Sequence, residues 1–242
     1  MLISTTAIVL SKLKFRDNDL IVKCYTKDFG IKSYLLRNIL KSKKGKIKAA
    51  YFQELSILSI EADHRDGRSL HYIKELRLAY HYHSVHSNVV KSTIALFISE
   101  ILSNILKEEE ENNKLFQFLE ASLVWFDQSD SEVIASFHLM FLMELSKYLG
   151  FYPNTHNFES QFFNLETGRF QDSELGDYCI SGEKLKFLKE LLGIKFDANK
   201  RLNISNNQKR ELLDVILIYF NLHLDGFKRP KSIEVLNQVF SS

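Results

Sequence analysis

The apolar residues of this chain change their spacing near Ser84, and that change limits what it can fold into. Before it they recur in short β-branched runs that alternate with polar residues. After it they recur at three and four positions. The first pattern buries one face of a strand and the second one face of a helix, so the expected class is α+β: a β part, residues 1–80, followed by an all-α part, 81–242. At 242 residues with 45% hydrophobic content, each part has enough apolar side chain for its own core.

Strands are expected at 6–13, 20–26, 31–39, 54–62 and 69–78. The polar run Phe15-Arg16-Asp17-Asn18-Asp19, the triplet Asp28-Phe29-Gly30 and the run Asp63-His64-Arg65-Asp66-Gly67 supply turns between them. Five short strands joined by turns suggest a small, partly closed five-stranded β-barrel of the OB type, a fold that binds single strands in a basic groove where aromatic rings stack on bases. Tyr25, Tyr34 and Tyr72 are the candidate rings, against the plainer reading that a strand tyrosine packs at a barrel edge.

Helices are expected from about residue 84 to 106, over 112–126, from an N-cap at Ser131 to a stop at Gly150, over 181–192 and 206–224, and from Pro230 as first helical residue through Phe240. The helix after Ser131 is apolar almost all round, which places it at the centre of its domain, and Trp125 has the spacing of a core residue. Residues 151–180 lose periodicity and read as an irregular insertion, and Glu108 to Glu111 as a solvated loop, since four acids oppose the dipole of a helix C-terminus.

Between the third and fourth strands lies Leu40-Lys41-Ser42-Lys43-Lys44-Gly45-Lys46-Ile47-Lys48, five lysines with no acid. Such a segment cannot bury itself and is expected as an exposed arm, either a solubility loop or a nucleic-acid contact. The charge distribution favours contact: residues 1–80 carry 16 Lys and Arg against 8 Asp and Glu, the remainder 16 against 22, so a net +2 conceals +8 followed by −6.

Cys24 and Cys179 are too few for a disulfide framework or a four-ligand zinc site and are expected as reduced, buried thiols. The start Met-Leu-Ile-Ser-Thr-Thr has no secretory pattern, and no uncharged apolar run is long enough to span a bilayer; a soluble cytoplasmic protein is expected, with no membrane partner. His81, His83 and His86 have a spacing seen among metal ligands, but no third ligand type accompanies them and a barrel-to-helix junction is the preferred reading. Asp63 and Asp66 are read as hairpin-turn residues, and His138 and His223 as core or boundary histidines. No phosphate-binding loop and no nucleophile pattern occurs, so no catalytic residue, cofactor or metal is assigned. Two other classes stay open: an RNA-binding OB protein, and a metal-dependent nuclease using Asp63, Asp66 and the histidines.

The order of several short motifs resembles the RecO family of bacterial recombination mediators. These are Ala7-Ile8-Val9-Leu10, Asp19-Leu20-Ile21, Tyr25-Thr26-Lys27-Asp28-Phe29-Gly30 and the lysine arm, then Ile73-Lys74-Glu75-Leu76 and Leu115-Phe116-Gln117-Phe118-Leu119. Phe137-His138-Leu139, Leu149-Gly150-Phe151-Tyr152-Pro153, Asn164-Leu165-Glu166-Thr167-Gly168-Arg169-Phe170, and Tyr219 to Leu224 before Pro230-Lys231-Ser232 continue the order. The resemblance implies a non-catalytic, nucleoid-associated protein that binds single- and double-stranded DNA and anneals complementary strands. With RecR, such proteins help RecA displace single-strand-binding protein. DNA would meet Lys14, Arg16, Lys32, Arg37, Lys41, Lys43, Lys44, Lys46, Lys48, Arg65 and Arg68. The resemblance also implies capture of the acidic, apolar C-terminal tail of single-strand-binding protein by the helical domain, where Lys184, Lys186 and Lys189 beside Phe187 and Leu188 are one candidate; a wet amphipathic helix is the alternative. Some relatives carry a four-cysteine zinc site after the Leu-Gly-x-x-Pro segment. Here that region holds only Cys179, so zinc is expected to be absent.

Overall fold

The computed structural model describes residues 1–41, 47–65, 67–107, 110–194 and 202–240. They form two compact units, Met1–Gln128 and Ser129–Ser242.

The first unit is built on a closed barrel of β1 (Leu2–Phe15), β2 (Asp19–Thr26), β3 (Gly30–Leu36), β4 (Ile57–Asp63) and β5 (Leu70–Leu78), in the order β1-β2-β3-β5-β4. All pairings are antiparallel except β3 with β5, where Ser33 faces Leu70 and Tyr34 faces His71. β1 extends beyond the expected 6–13 because it serves two neighbours, β4 along Leu2 to Ile8 and β2 along Ala7 to Phe15. A register shift between Val9 and Ser11 turns the strand from one to the other. β3 is shorter than expected: Asn38 has φ +54° and its N–H donates to the Asp19 carboxylate at 2.7 Å, so the chain turns before Ile39. Inward-facing Val9, Val22, Cys24, Tyr34, Leu58 and Ile60 fill the barrel with Phe52. Cys24 is fully buried, which pushes its thiol up to about 12 and leaves it unreactive.

α1 (Val89–Ile105) and α2 (Asn113–Gln128) belong to the same unit. Asn88 caps α1, its side chain accepting from the Lys91 N–H. β2 ties the helices to the barrel: the Lys23 ammonium donates to the Ser103 and Leu106 carbonyls at the end of α1, at 2.6 and 3.2 Å, and the Tyr25 hydroxyl to the Asn112 carbonyl. Burial, with Lys107 nearby, pushes the Lys23 ammonium below its usual range. Trp125 is half-buried rather than core.

The second unit centres on α3 (Ser131–Tyr148), whose Phe137, Leu139, Phe141, Leu142 and Leu145 are fully buried, with α4 (Gly182–Leu192), α5 (Asn206–His223) and α6 (Ile233–Val239). The N-cap of α3 is Asp130; Ser131 is its first helical residue. At its other end Gly150, at φ +86°, donates to the Lys147 carbonyl and Phe151 to that of Ser146, the left-handed stop expected of this glycine. Pro230 does not open α6, which begins at Ile233 after Ser232. The 151–180 segment is not irregular throughout. It contains a three-stranded sheet, β7-β6-β8, made of β6 (Phe162–Asn164), β7 (Arg169–Gln171) and β8 (Cys179–Ser181). Cys179 is half-buried, and its sulfur accepts from Gln171 Nε2 at 3.6 Å. No helix of the described residues is long and apolar enough to cross a membrane.

Candidate nucleic-acid interface

The pleat of β3 and β5 decides which tyrosines could meet a ligand. Tyr34 points inward, is fully buried, and its hydroxyl shares a 3.0 Å hydrogen bond with His64 Nε2. Tyr25 is 3% exposed and packs against Phe116 at 5.9 Å between ring centroids. Neither offers a face to a base, which removes two of the three candidate rings. Tyr72, on β5, is half-buried and lines a groove of about 630 Å³.

That groove is lined by the apolar Leu35, Leu36, Ile39, Ile47 and Ile73 and by the cations Arg37, Arg65, Arg68 and Lys74. The Arg37 guanidinium donates to the Tyr72 hydroxyl at 3.1 Å, and the guanidinium carbons of Arg37 and Arg65 stand 5.2 and 5.7 Å from its ring centroid. Among the described residues Asp63 is the one acid in the lining, and it is neutralised locally: Arg65 Nε donates to it at 3.1 Å and the Met1 ammonium lies 3.6 Å away. The hydrogen bond from Arg65 holds its carboxyl below the usual range. The groove therefore presents positive charge around one aromatic ring. Lys74 was not among the expected DNA-binding residues; it sits at a register shift of β5 against β4, where Ile73 pairs with Ala62 and Glu75 with Glu61, and strict alternation does not reach across that irregularity.

Arg37, Arg65 and Arg68 are thus brought together, while the other described residues expected to bind DNA lie outside the groove lining. Lys14 and Arg16 are exposed at the end of β1, outside the groove lining. Their turn nevertheless lies beside the start of the lysine arm, since the Leu40 N–H donates to the Asn18 carbonyl at 3.1 Å. Lys32 is half-buried. Lys41 and Lys48 are exposed, and Ile39 and Ile47, on either side of the arm, both line the groove. Lys43, Lys44 and Lys46 lie outside the described residues.

Behind the groove, His64 and His71 stack at 4.4 Å, and the Met1 ammonium donates to the His64 carbonyl at 2.6 Å. Burial, helped by His71 and Lys32, pushes His64 down to about 4, so it is neutral at physiological pH.

The junction histidines behave as connectors. His86 Nε2 donates to the Glu54 carbonyl at 2.9 Å and the His83 N–H to Asp127. His223 donates to the Leu165 carbonyl and stacks on Phe151, and His138 is buried against Phe240. Among the described residues no group of three or more His, Cys, Asp or Glu is placed to hold a metal ion; Asp66 lies outside them.

On α4, Phe187 and Leu188 are buried in the second unit. Lys189 is committed: it donates to the Ser160 carbonyl at 2.9 Å and lies over Phe158 and Phe170. Lys184 and Lys186 are exposed, and Lys186 lines a second groove together with Glu159, Phe162, Leu185 and Glu190.

Comparison with known proteins assigns the lineage. The family model for the Recombination protein O N terminal matches residues 1–82, and that for its C terminal matches 86–233. The chain belongs to the RecO family of DNA repair proteins. A DNA repair protein RecO of Christiangramia forsetii is 43% identical over 240 residues, covering 99% of this chain and all of the relative. One of Flavobacterium psychrophilum is 44% identical over 241 residues, and one of Phocaeicola vulgatus 35% over 243, each covering all of both chains. The boundary between the two family models, at residues 82 to 86, follows the end of β5.

Proposed function

We propose that this RecO-family chain is a mediator that works without nucleotide hydrolysis: it binds single- and double-stranded DNA on the barrel, anneals complementary strands and, with RecR, helps RecA displace single-strand-binding protein. The cation-lined groove around Tyr72 is the observation that carries this reading. Two strands held on one positive surface repel each other less, and base pairing supplies the driving force, so the reading assigns no catalytic residue and no cofactor. Function divides at the end of the barrel: 1–80 takes DNA and 81–242 takes protein partners, the acidic tail of single-strand-binding protein among them. Lys184 and Lys186 are the cations of α4 still available to such a tail. The expected setting is the cytoplasm, at the nucleoid.

If Lys41, Lys43, Lys44, Lys46 and Lys48 each meet a phosphate, they contribute about −3.5 to the single-strand salt slope, or on the order of 100-fold in affinity between 50 and 200 mM salt. The test is annealing of complementary labelled oligonucleotides coated with single-strand-binding protein, without nucleotide. Acceleration that disappears at high salt and in the variant lacking the five lysines supports the reading. Absence of acceleration by a folded, DNA-binding protein would overturn it.

A further inference from the structure

We propose that Tyr72 is the stacking platform for one unpaired base of a DNA single strand, so that the barrel groove reads strandedness and does not only collect phosphates. The inference rests on the reading of this barrel face as the DNA surface and deepens it. A surface that only neutralises phosphates needs cations and no apolar lining. Here Arg37, Arg65 and Arg68 line the groove together with the apolar Ile39 and Ile73 and one half-buried ring. Tyr25 and Tyr34 are withdrawn into the unit, which leaves Tyr72 the one ring among the described lining residues.

The ring is held for this task. Arg37 fixes its hydroxyl, and the two guanidinium groups stand at 5.2 and 5.7 Å from the centroid, near the outer limit of about 6 Å for such contacts. Both lie over the ring, so a base that takes a ring face displaces a guanidinium, which is then placed to meet an adjacent phosphate. Bases within a duplex are stacked on each other and have no free face to give. Only a strand with unpaired bases can fill the slot. The apolar lining would then be available to the same base, as in small-ligand sites of comparable volume.

The full-length chain is titrated with three labelled ligands of equal length: oligo(dT), the same backbone with abasic residues, and a duplex. Tyr72→Leu is expected to weaken oligo(dT) binding by about 5- to 150-fold, the range for removal of one base–aromatic stack, and to leave the abasic strand and the duplex unchanged. Tyr72→Phe keeps the ring and stays near the parent. Equal weakening on all three ligands, or none on any, would overturn the slot. Tyr72→Trp supplies a second readout that needs no destabilising change. Its added emission should fall with oligo(dT) and not with the abasic strand, and a response common to both would overturn the proposal. The double variant Arg37→Ala, Arg65→Ala tests the underlying reading separately. Affinity for all three ligands should drop, whereas unchanged affinity would show that DNA lies elsewhere.

Discussion

Asp127 is the residue on which the junction between barrel and helices depends. It is 4% exposed, yet its carboxylate accepts the N–H groups of His83, Ser84 and Val85 at 2.9, 2.8 and 3.1 Å, the Ser84 hydroxyl and that of Tyr80. Burial by itself raises the pKa of this carboxyl, but the converging donors hold it below the usual range. Lys91 completes the knot by donating to the Asp127 carbonyl at 2.6 Å and to the Ser84 hydroxyl at 2.7 Å. Asp127→Ala strands several buried donors, each costing about 1–3 kcal/mol, so urea unfolding should show a destabilisation of at least about 3 kcal/mol. Asp127→Asn, which keeps one acceptor oxygen, should be destabilised less. In the sequence Asp127 is one polar residue at the end of an apolar helix, with the partners of its carboxylate more than 40 positions away, and no local period marks it. Tyr34 was hidden for a related reason. Each face of its strand mixes apolar and polar residues, Ile31, Ser33 and Leu35 on one and Lys32, Tyr34 and Leu36 on the other, so alternation alone could not choose the inward one, and the partner that lets its hydroxyl be buried, His64, lies 30 residues on.

At the scale of elements, the barrel and the long helices were legible because each runs through several periods of its pattern, while the β7-β6-β8 sheet was not. A strand of three residues shows at most one alternation, and its identity depends on turns. The β6–β7 turn is built by the Asn164 side chain, whose carbonyl accepts the Glu166 and Thr167 N–H groups at 2.9 and 3.0 Å, and by Gly168 at φ +66°. Tyr219 of α5 locks that turn from below. Its hydroxyl donates to the Phe151 carbonyl at 2.6 Å and would stand 2.7 Å from any Cβ added at Gly168. Gly168→Ala should therefore cost more than the roughly 1 kcal/mol of a strained left-handed alanine, because it also displaces that hydroxyl. Tyr219→Phe alone should cost about 1 kcal/mol, the worth of one hydrogen bond. The double variant should be less destabilised than the sum of the two, since the clash and the bond involve the same hydroxyl oxygen. Chemical denaturation in a double-mutant cycle measures the difference. Additive destabilisation would place the strain in the backbone alone.

Across the whole molecule, positive charge follows the barrel and not the compact unit that contains it. Residues 1–80 carry +8, whereas Met1–Gln128 holds 19 Lys and Arg against 15 Asp and Glu, because α1, α2 and the loop between them bring acids. This distribution was readable from composition, but its focus was not. The sequence offered eleven candidate cations, and among the eight of them that are described the fold gathers three, with Lys74, around Tyr72. Two accounts of salt-dependent DNA binding then diverge. If affinity followed net charge, removing any three cations would act alike. If phosphates are met at the groove, Arg37→Ala, Arg65→Ala, Arg68→Ala should make the slope of log affinity against log salt for a single strand shallower by about 2, near 0.7 for each phosphate no longer neutralised. Removing Lys184 and Lys186, exposed cations of the other unit, should leave that slope in place. Fluorescence anisotropy across a salt series separates the two accounts. Equal slopes for both variants would mean that the field of the whole chain, and not the groove, holds the strand.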